Sequence, residues 1–461
     1  MRVRIGLVCG LGLAVAGLSG CGMFEKKPEA PESAAAKSKA AAAAASKPAP
    51  MSYTSANNGL PTGIIWKSQM ALGDVNADGF PDIGVISRLA DGPWIFVGDG
   101  KGNWAPFANG LPREPFCGGG MDFMDVNKDG IVDAAISDHC KGVFVFLGDG
   151  KGNWRTASSG LPTIGSEDVA LGDFNNDGCP DLASVAAAEE GVRAFIGNCK
   201  GVWKESSKGL ALTDWGNAVE LKDVNADGNL DVIAAYAAGP RVWLGNGKGG
   251  WTEASQGLPA PTIHGLYWGL DVGDLNGDGK LDVVSGSQMP PLPEGCGGPG
   301  APTCAGGGVE AFLQQPDGSW QFANVGFLPM NALGVAIGDL NNDGKPDVTA
   351  VGKRALDEIG GVYGVYTYLG DGKGNWQPVI AEGLPQTGKE RSWGVGIADI
   401  NKDGTNDIAV AFGDVVSPTW RSGAKGKDKE KDAKPAEAKS SAPTRGKFGE
   451  IGVWFGKPTP R

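Results

Sequence analysis

Histidine is nearly missing: His139 and His264 are the only two in 461 residues. A histidine-built metal centre is excluded on that ground, and neither imidazole lies in a nucleophile motif. G-x-S-x-G, C-x-x-C and Walker loops are also absent, which removes the short signatures of hydrolase, redox and phosphate-cradling chemistry. Between its turns the sequence has no 3.6-residue apolar period, so a helical fold is excluded. Acidic residues outnumber basic ones, 53 to 41, leaving no cationic surface for nucleic acid. What is abundant is glycine, with 77 residues, and that profile belongs to a turn-dense β protein.

The N-terminus reads as a processing segment. Arg2 and Arg4 precede an apolar run from Ile5 to Leu18, too short to remain as a membrane span. The run ends in Leu18-Ser19-Gly20-Cys21, which resembles the lipobox of bacterial lipoproteins. That resemblance implies a signal over residues 1–20, cleavage before Cys21, and acylation of Cys21 as an anchor in the cell envelope. Gly22 after the cysteine resembles the signal for sorting to a Gram-negative outer membrane. Residues 21–51 hold few large apolar side chains and read as a flexible tether. Residues 421–447 are alternating-charge and Lys/Ala/Ser-rich, and read as a disordered insertion inside the last repeat.

One acidic phrase recurs seven times, in the form GDLNNDGKPD at 338–347. Its first Asp stands at 74, 125, 173, 223, 274, 339 and 399, a period near 50 that fits a propeller or solenoid. Each unit has an apolar stretch entering the turn and another leaving it. A Gly-led strand and a polar strand ending in Gly-Leu-Pro follow. Four short strands per repeat make a propeller blade. Trp104, Trp154, Trp203, Trp251, Trp320 and Trp376 open the fourth strand in six units, but the seventh stops at GEIGVWFGKPTPR. Residues 53–61, YTSANNGLP, match the missing strand, with Tyr53 in the Trp position and Gly59 six residues on. The expectation is an all-β, seven-bladed propeller of four-stranded blades over residues 52–457, closed by an N-terminal outer strand.

Each acidic phrase reads D-x-N-x-D-G-x-x-D. Oxygen ligands at positions 1, 3, 5 and 9, with the position-7 carbonyl, suit a hard cation such as Ca²⁺. The candidate metal ligands are Asp74, Asn76, Asp78 and Asp82; Asp125, Asn127, Asp129 and Asp133; Asp173, Asn175, Asp177 and Asp181; and Asp223, Asn225, Asp227 and Asp231. The last three sets are Asp274, Asn276, Asp278 and Asp282; Asp339, Asn341, Asp343 and Asp347; and Asp399, Asn401, Asp403 and Asp407. Position 12 is apolar (Val85 in the first copy), so this is not an EF-hand. Position 6 is Gly, as a sharp turn with positive φ requires. Losing Arg2 and Arg4 with the signal takes the formal charge from −12 to −14, which up to seven structural Ca²⁺ would neutralise.

With its flanking strands, the phrase resembles the FG-GAP/VCBS repeat family, which includes the integrin α-subunit propeller. The resemblance implies the propeller fold and Ca²⁺ loops. Integrin-like propellers usually carry Ca²⁺ in three or four blades, so seven would exceed their pattern. It also implies that ligands are recognised on the face opposite the acidic turns.

That second face carries the blade-to-blade links, with Trp66, Phe116, Trp215, Tyr267, Trp268 and Trp393 as candidate ligand contacts. It also carries the insertions at 288–307, 352–361 and 413–447. The same map of faces pairs Cys117 with Cys140, Cys179 with Cys199, and Cys296 with Cys304, as staples. The leading expectation is a lipid-anchored, Ca²⁺-stabilised binding, adhesion or scaffold propeller recognising a protein or glycan at the envelope. A polysaccharide-active lyase or hydrolase is the alternative, and an architectural subunit the third reading.

Overall fold

The turn chemistry sets where strands begin. Every acidic turn ends at an Asp that opens a strand, and residues 181–186 are typical: DLASVA, buried at every position. A strand buried on both faces reads as nearly continuous apolar sequence because it is packed between neighbouring sheets. The structure is a computed structural model that describes residues 51–186, 191–236, 239–259, 267–287, 308–354, 362–385, 391–413 and 449–457. Cys21, residues 421–447 and the Cys296–Cys304 pair lie outside them.

Among the described residues there are no helices and seven sheets. Blade 3 shows the plan: Ser166–Gly172, Asp181–Ala186, Val192–Gly197 and Trp203–Glu205 pair antiparallel in sequence order. The first strand of each blade packs on the first strands of its neighbours, so these seven strands enclose an axial channel. Blade 7 consists of Arg391–Ala398, Asp407–Gly413, Ile451–Gly456 and, from the other end of the chain, Tyr53–Ser55. Tyr53 pairs with Gly456, so the N-terminal outer strand closes the ring as the repeat arithmetic required. Blade 6 differs from expectation in one respect. Its second strand, Asp347–Arg354, runs through residues 352–354, which sequence alone places in an insertion. Pairing with Met330–Gly338 on one side and Val362–Gly370 on the other carries it further.

One joint repeats between blades. The indole Nε1 of Trp203 donates to the Ala157 carbonyl of the preceding blade at 2.8 Å. Trp104, Trp154, Trp251, Trp320 and Trp376 do the same. The glycine of each Gly-Leu-Pro-like segment then lies against the backbone of the next blade's Trp. A Cβ on Gly59 would meet the Trp104 carbonyl oxygen at 2.2 Å, and one on Gly160 the Trp203 oxygen at 2.2 Å. Gly383 meets Tyr53 in the same way, carrying the joint across the seam of the ring.

Candidate functional site at the channel mouth

The acidic turns form one face. In the first, Asp74 Oδ1 and Asn76 Oδ1 both accept the Asp78 N–H, and Asp74 Oδ2 accepts the Gly79 N–H. Asp78 Oδ1 accepts from Phe80 N, and its Oδ2 accepts from Asn76 Nδ2. The other six turns repeat the backbone bonds, for example Asp399, Asn401 and Asp403. Position 4 is left-handed as well as position 6: Ala77, Lys128, Asn176, Ala226, Asn342 and Lys402 have φ of 57 to 63°.

Position 9 does a further job. Asp82 is fully buried, with Oδ2 accepting the Val75 N–H and Oδ1 the Gly98 N–H of the third strand. Asp133, Asp181, Asp231, Asp282, Asp347 and Asp407 are braced alike. Burial pushes Asp82, Asp181, Asp282, Asp347 and Asp407 up to about 7, and Asp133 and Asp231 to about 6, with neighbouring turn carboxylates adding to the shift. Among the described residues, the group of three acidic, Cys or His side chains with ligand atoms within 4.8 Å of one another is Cys117, Asp138 and Cys140. The three carboxylates of a turn are therefore spaced more widely than that. The donor set at positions 1, 3, 5 and 9 is all hard oxygen and fits a divalent cation such as Ca²⁺, and position 9 also braces the third strand of its own blade.

The other face owes its chemistry to a recurring β-bulge. In blades 3 to 7 the pairing of first and second strands skips one residue. The skipped residues are Glu167, Asn217, Trp268, Leu333 and Trp393, each six positions before the first Asp of its turn. Bulges re-aim side chains. All five line one cleft at the channel mouth, joined by Ser68 and Gly119 at the same position in blades 1 and 2. One residue per blade thus meets at the axis.

The short strand Ser68–Gln69 runs parallel to the first strand of blade 2 and lines this cleft. Gln69 Nε2 reaches the Trp268 carbonyl in blade 5 at 3.2 Å. Lys67 Nζ pairs with Glu167 Oε2 at 2.8 Å, and the His139 ring meets the other oxygen. Burial alone would raise Glu167, but Lys67 and His139 hold its carboxyl below the ordinary value. Trp268 and Trp393 meet edge to face at 5.5 Å, Lys67 lies over the Trp393 ring at 5.6 Å, and Trp215 packs on His139 at 5.6 Å.

Of the six aromatics expected on this face, the structure brings Trp268 and Trp393 into the cleft and sets Trp215 beside its rim. Trp66, Phe116 and Tyr267 are instead core residues, 0, 1 and 0 % exposed. They sit where links cross the ends of blades and fill the space there, and Tyr267 spends its hydroxyl on Glu310 at 2.7 Å. Lys67, Gln69, Glu167 and Asn217 were not anticipated. The signal that would have found Glu167 and Asn217 is their shared position, six residues before the first Asp of each turn. Cys117 pairs with Cys140 and Cys179 with Cys199, with Cα atoms 5.7 and 5.2 Å apart. The first holds the loop that carries His139.

Below the mouth, three positions before each turn, the channel carries Asp122, Glu220 and Asp271, with Ala or Gly in the other four blades. Asp122 Oδ2 accepts from Leu171 N, and Asp271 Oδ2 from Ile337 N. Burial raises all three, and Lys222, 3.8 Å from Glu220, is the cation that offsets them.

The FG-GAP-like repeat family matches residues 74–136, 125–184 and 223–285. No curated protein matches the sequence. A chain from the crystal structure of BBS1N in complex with ARL6DN is similar over 89 % of this chain and 97 % of its own. Its TM-score is 0.51 at 10 % identity. A structure of an Agrocybe aegerita lectin, described for recognition of non-reducing terminal N-acetylglucosamine, covers 75 % of this chain and 91 % of its own. Its TM-score is 0.43 at 18 % identity. Likeness at such identities concerns the fold alone.

Proposed function

Because the chain is an FG-GAP repeat propeller, we propose that it is a binding module whose ligand, a protein or a glycan, docks at the channel mouth. One observation carries this reading. Seven repeat-equivalent positions converge on the axis, and there they are chemically unlike: Ser68, Gly119, Glu167, Asn217, Trp268, Leu333 and Trp393. A purely architectural ring has no use for such asymmetry, and function on a rigid scaffold resides where the scaffold varies. The proposal includes a lipid anchor at Cys21, location at the cell envelope, and structural Ca²⁺ in the acidic turns. The oxygens of positions 1, 3, 5 and 9 would hold each ion, which would neutralise carboxylates that otherwise repel one another.

The test is a pull-down from native envelope extracts, with and without chelator, using the wild type and Trp268→Ala. The reading expects a captured ligand that is lost with Trp268→Ala. It also expects chelation to lower the melting temperature. Capture that is indifferent to Trp268 would refute the mouth as the docking site, and a melting curve unmoved by chelator would refute the cation.

A further inference from the structure

We infer that four of the acidic turns take up divalent cations as two coupled pairs, blade 6 with blade 7 and blade 3 with blade 4. An ion in one turn raises the affinity of its partner. This rests on the cation reading above and adds how those sites act on one another. Two hydrogen bonds join the first pair. Asn342 Nδ2, at position 4 of its turn, donates to the Gly404 carbonyl at 3.1 Å. Asn406 Nδ2, at position 8, donates back to the Asp339 carbonyl at 2.9 Å. Both bonds end beside the oxygen ligands. Asn342 stands between Asn341 and Asp343, and the peptide that it holds continues into the Thr405 N–H, which donates to Asp403 Oδ1 at 2.8 Å. In the second pair Asn176 Nδ2 donates to Asn229 Oδ1, and Asn229 Nδ2 donates to Asp227 Oδ1, each at 2.9 Å.

The left-handed backbone does not itself demand Asn at position 4, because Ala77, Lys128, Ala226 and Lys402 adopt it too. What sets Asn176 and Asn342 apart is an amide long enough to reach the next turn. Without a cation, the three carboxylates of a turn repel one another. Gathering their oxygens on one ion fixes the backbone that carries them. A neighbour bonded to that fixed backbone has less freedom left to lose when it binds in turn, so the coupling is positive. Charge opposes it, since each bound cation removes negative charge that would attract the next. That opposition acts between exposed turns, across a solvent whose screening length is about 8 Å at physiological salt. It also acts on every neighbouring pair of turns, whereas the hydrogen bonds act at contact and in these two pairs.

The experiment titrates Ca²⁺ into the chelator-stripped full chain at about 0.15 M salt. Hydrogen exchange read by mass spectrometry gives a separate midpoint for the peptide covering each turn. Asp343→Ala removes a ligand from the blade 6 turn, and the midpoint at residues 399–407 should then rise about tenfold. Asp78→Ala, in the turn of blade 1, should leave the midpoint of the blade 2 turn where it was. Asn342→Ala with Asn406→Leu cuts both bonds and keeps every ligand. Ala stands at position 4 in blades 1 and 4, and Leu at position 8 in blades 4 and 5, so neither is foreign to the turn. With the bonds cut, the 399–407 midpoint should rise and no longer respond to Asp343→Ala. Asn176→Ala should likewise free residues 223–231 from the effect of Asp177→Ala. If Asp343→Ala does not fold, the bond-cut variant decides alone: its 399–407 midpoint rises if the turns are coupled and holds if they are not. A midpoint unmoved by Asp343→Ala, or one that responds equally with the bonds cut, would overturn the pairing and leave the cation reading standing. If no turn gains protection with Ca²⁺, both fail.

Discussion

Gly59→Ala is the sharpest probe of how this ring closes. Gly59 follows the outer strand that the N-terminus lends to blade 7, and it lies against Trp104 of blade 1. Its φ is +91°, and an added Cβ would sit 2.2 Å from the Trp104 carbonyl oxygen. The left-handed backbone costs a non-glycine residue about 1–2 kcal/mol. The contact is with backbone, which cannot swing aside, so overpacking adds about 1–3 kcal/mol. Gly318→Ala isolates the first cost, since Gly318 has φ +82° with nothing within 4 Å of the added Cβ. The two variants should therefore differ by about 1–3 kcal/mol in urea unfolding, Gly59→Ala being the weaker. Limited proteolysis should also cut Gly59→Ala first within residues 53–61, because the lost joint frees the clasp. Equal unfolding midpoints for the two variants, or cleavage elsewhere, would show that the seam does not hold the ring.

Other perturbations test other layers. Trp203→Phe removes the indole bond to Ala157 and leaves a buried carbonyl without its donor, so a loss of about 1–3 kcal/mol is expected in chemical unfolding. Ala77→Gly relieves a left-handed residue in the first acidic turn and should stabilise by up to about 1 kcal/mol in the same assay. Glu220→Gln should raise the melting temperature at pH 8, and the gap to wild type should close as pH falls toward 5. Burial raises Glu220 above its unfolded value. The native state therefore binds more protons than the unfolded chain between those two values, and wild-type stability rises as pH falls through that window. A constant gap across the pH series would show that Glu220 is not the titrating group.

Blade number, blade boundaries and the N-terminal clasp were legible because each rests on local chemistry repeated in one frame. The Asp-Asn-Asp-Gly turn, the Trp that opens a fourth strand and the Gly six residues later each report a contact made again in the next blade. The two disulfides within the described residues were legible for the same reason, since counting strands assigns each Cys a face. The bracing by position 9 was not legible. An Asp at the end of an oxygen-rich turn reads as a ligand, and only the third strand's N–H, 14 to 49 residues away, shows that it also serves as a brace.

The aromatics divide by the same logic. Trp393 stands six positions before the first Asp of its turn and Trp66 eight, but the sequence does not say which of these positions faces the axis. The bulge does: Trp393 is the residue skipped in pairing and turns toward the axis, whereas Trp66 lies beneath the crossing chain at 0 % exposure. By itself the sequence determined a seven-fold ring and its turns, because those are short-range patterns that one chain repeats. The tertiary structure decided which seven residues meet at the channel mouth. Residues from Ser68 to Trp393 become neighbours only when the ring closes and each bulged strand aims its extra residue at the axis.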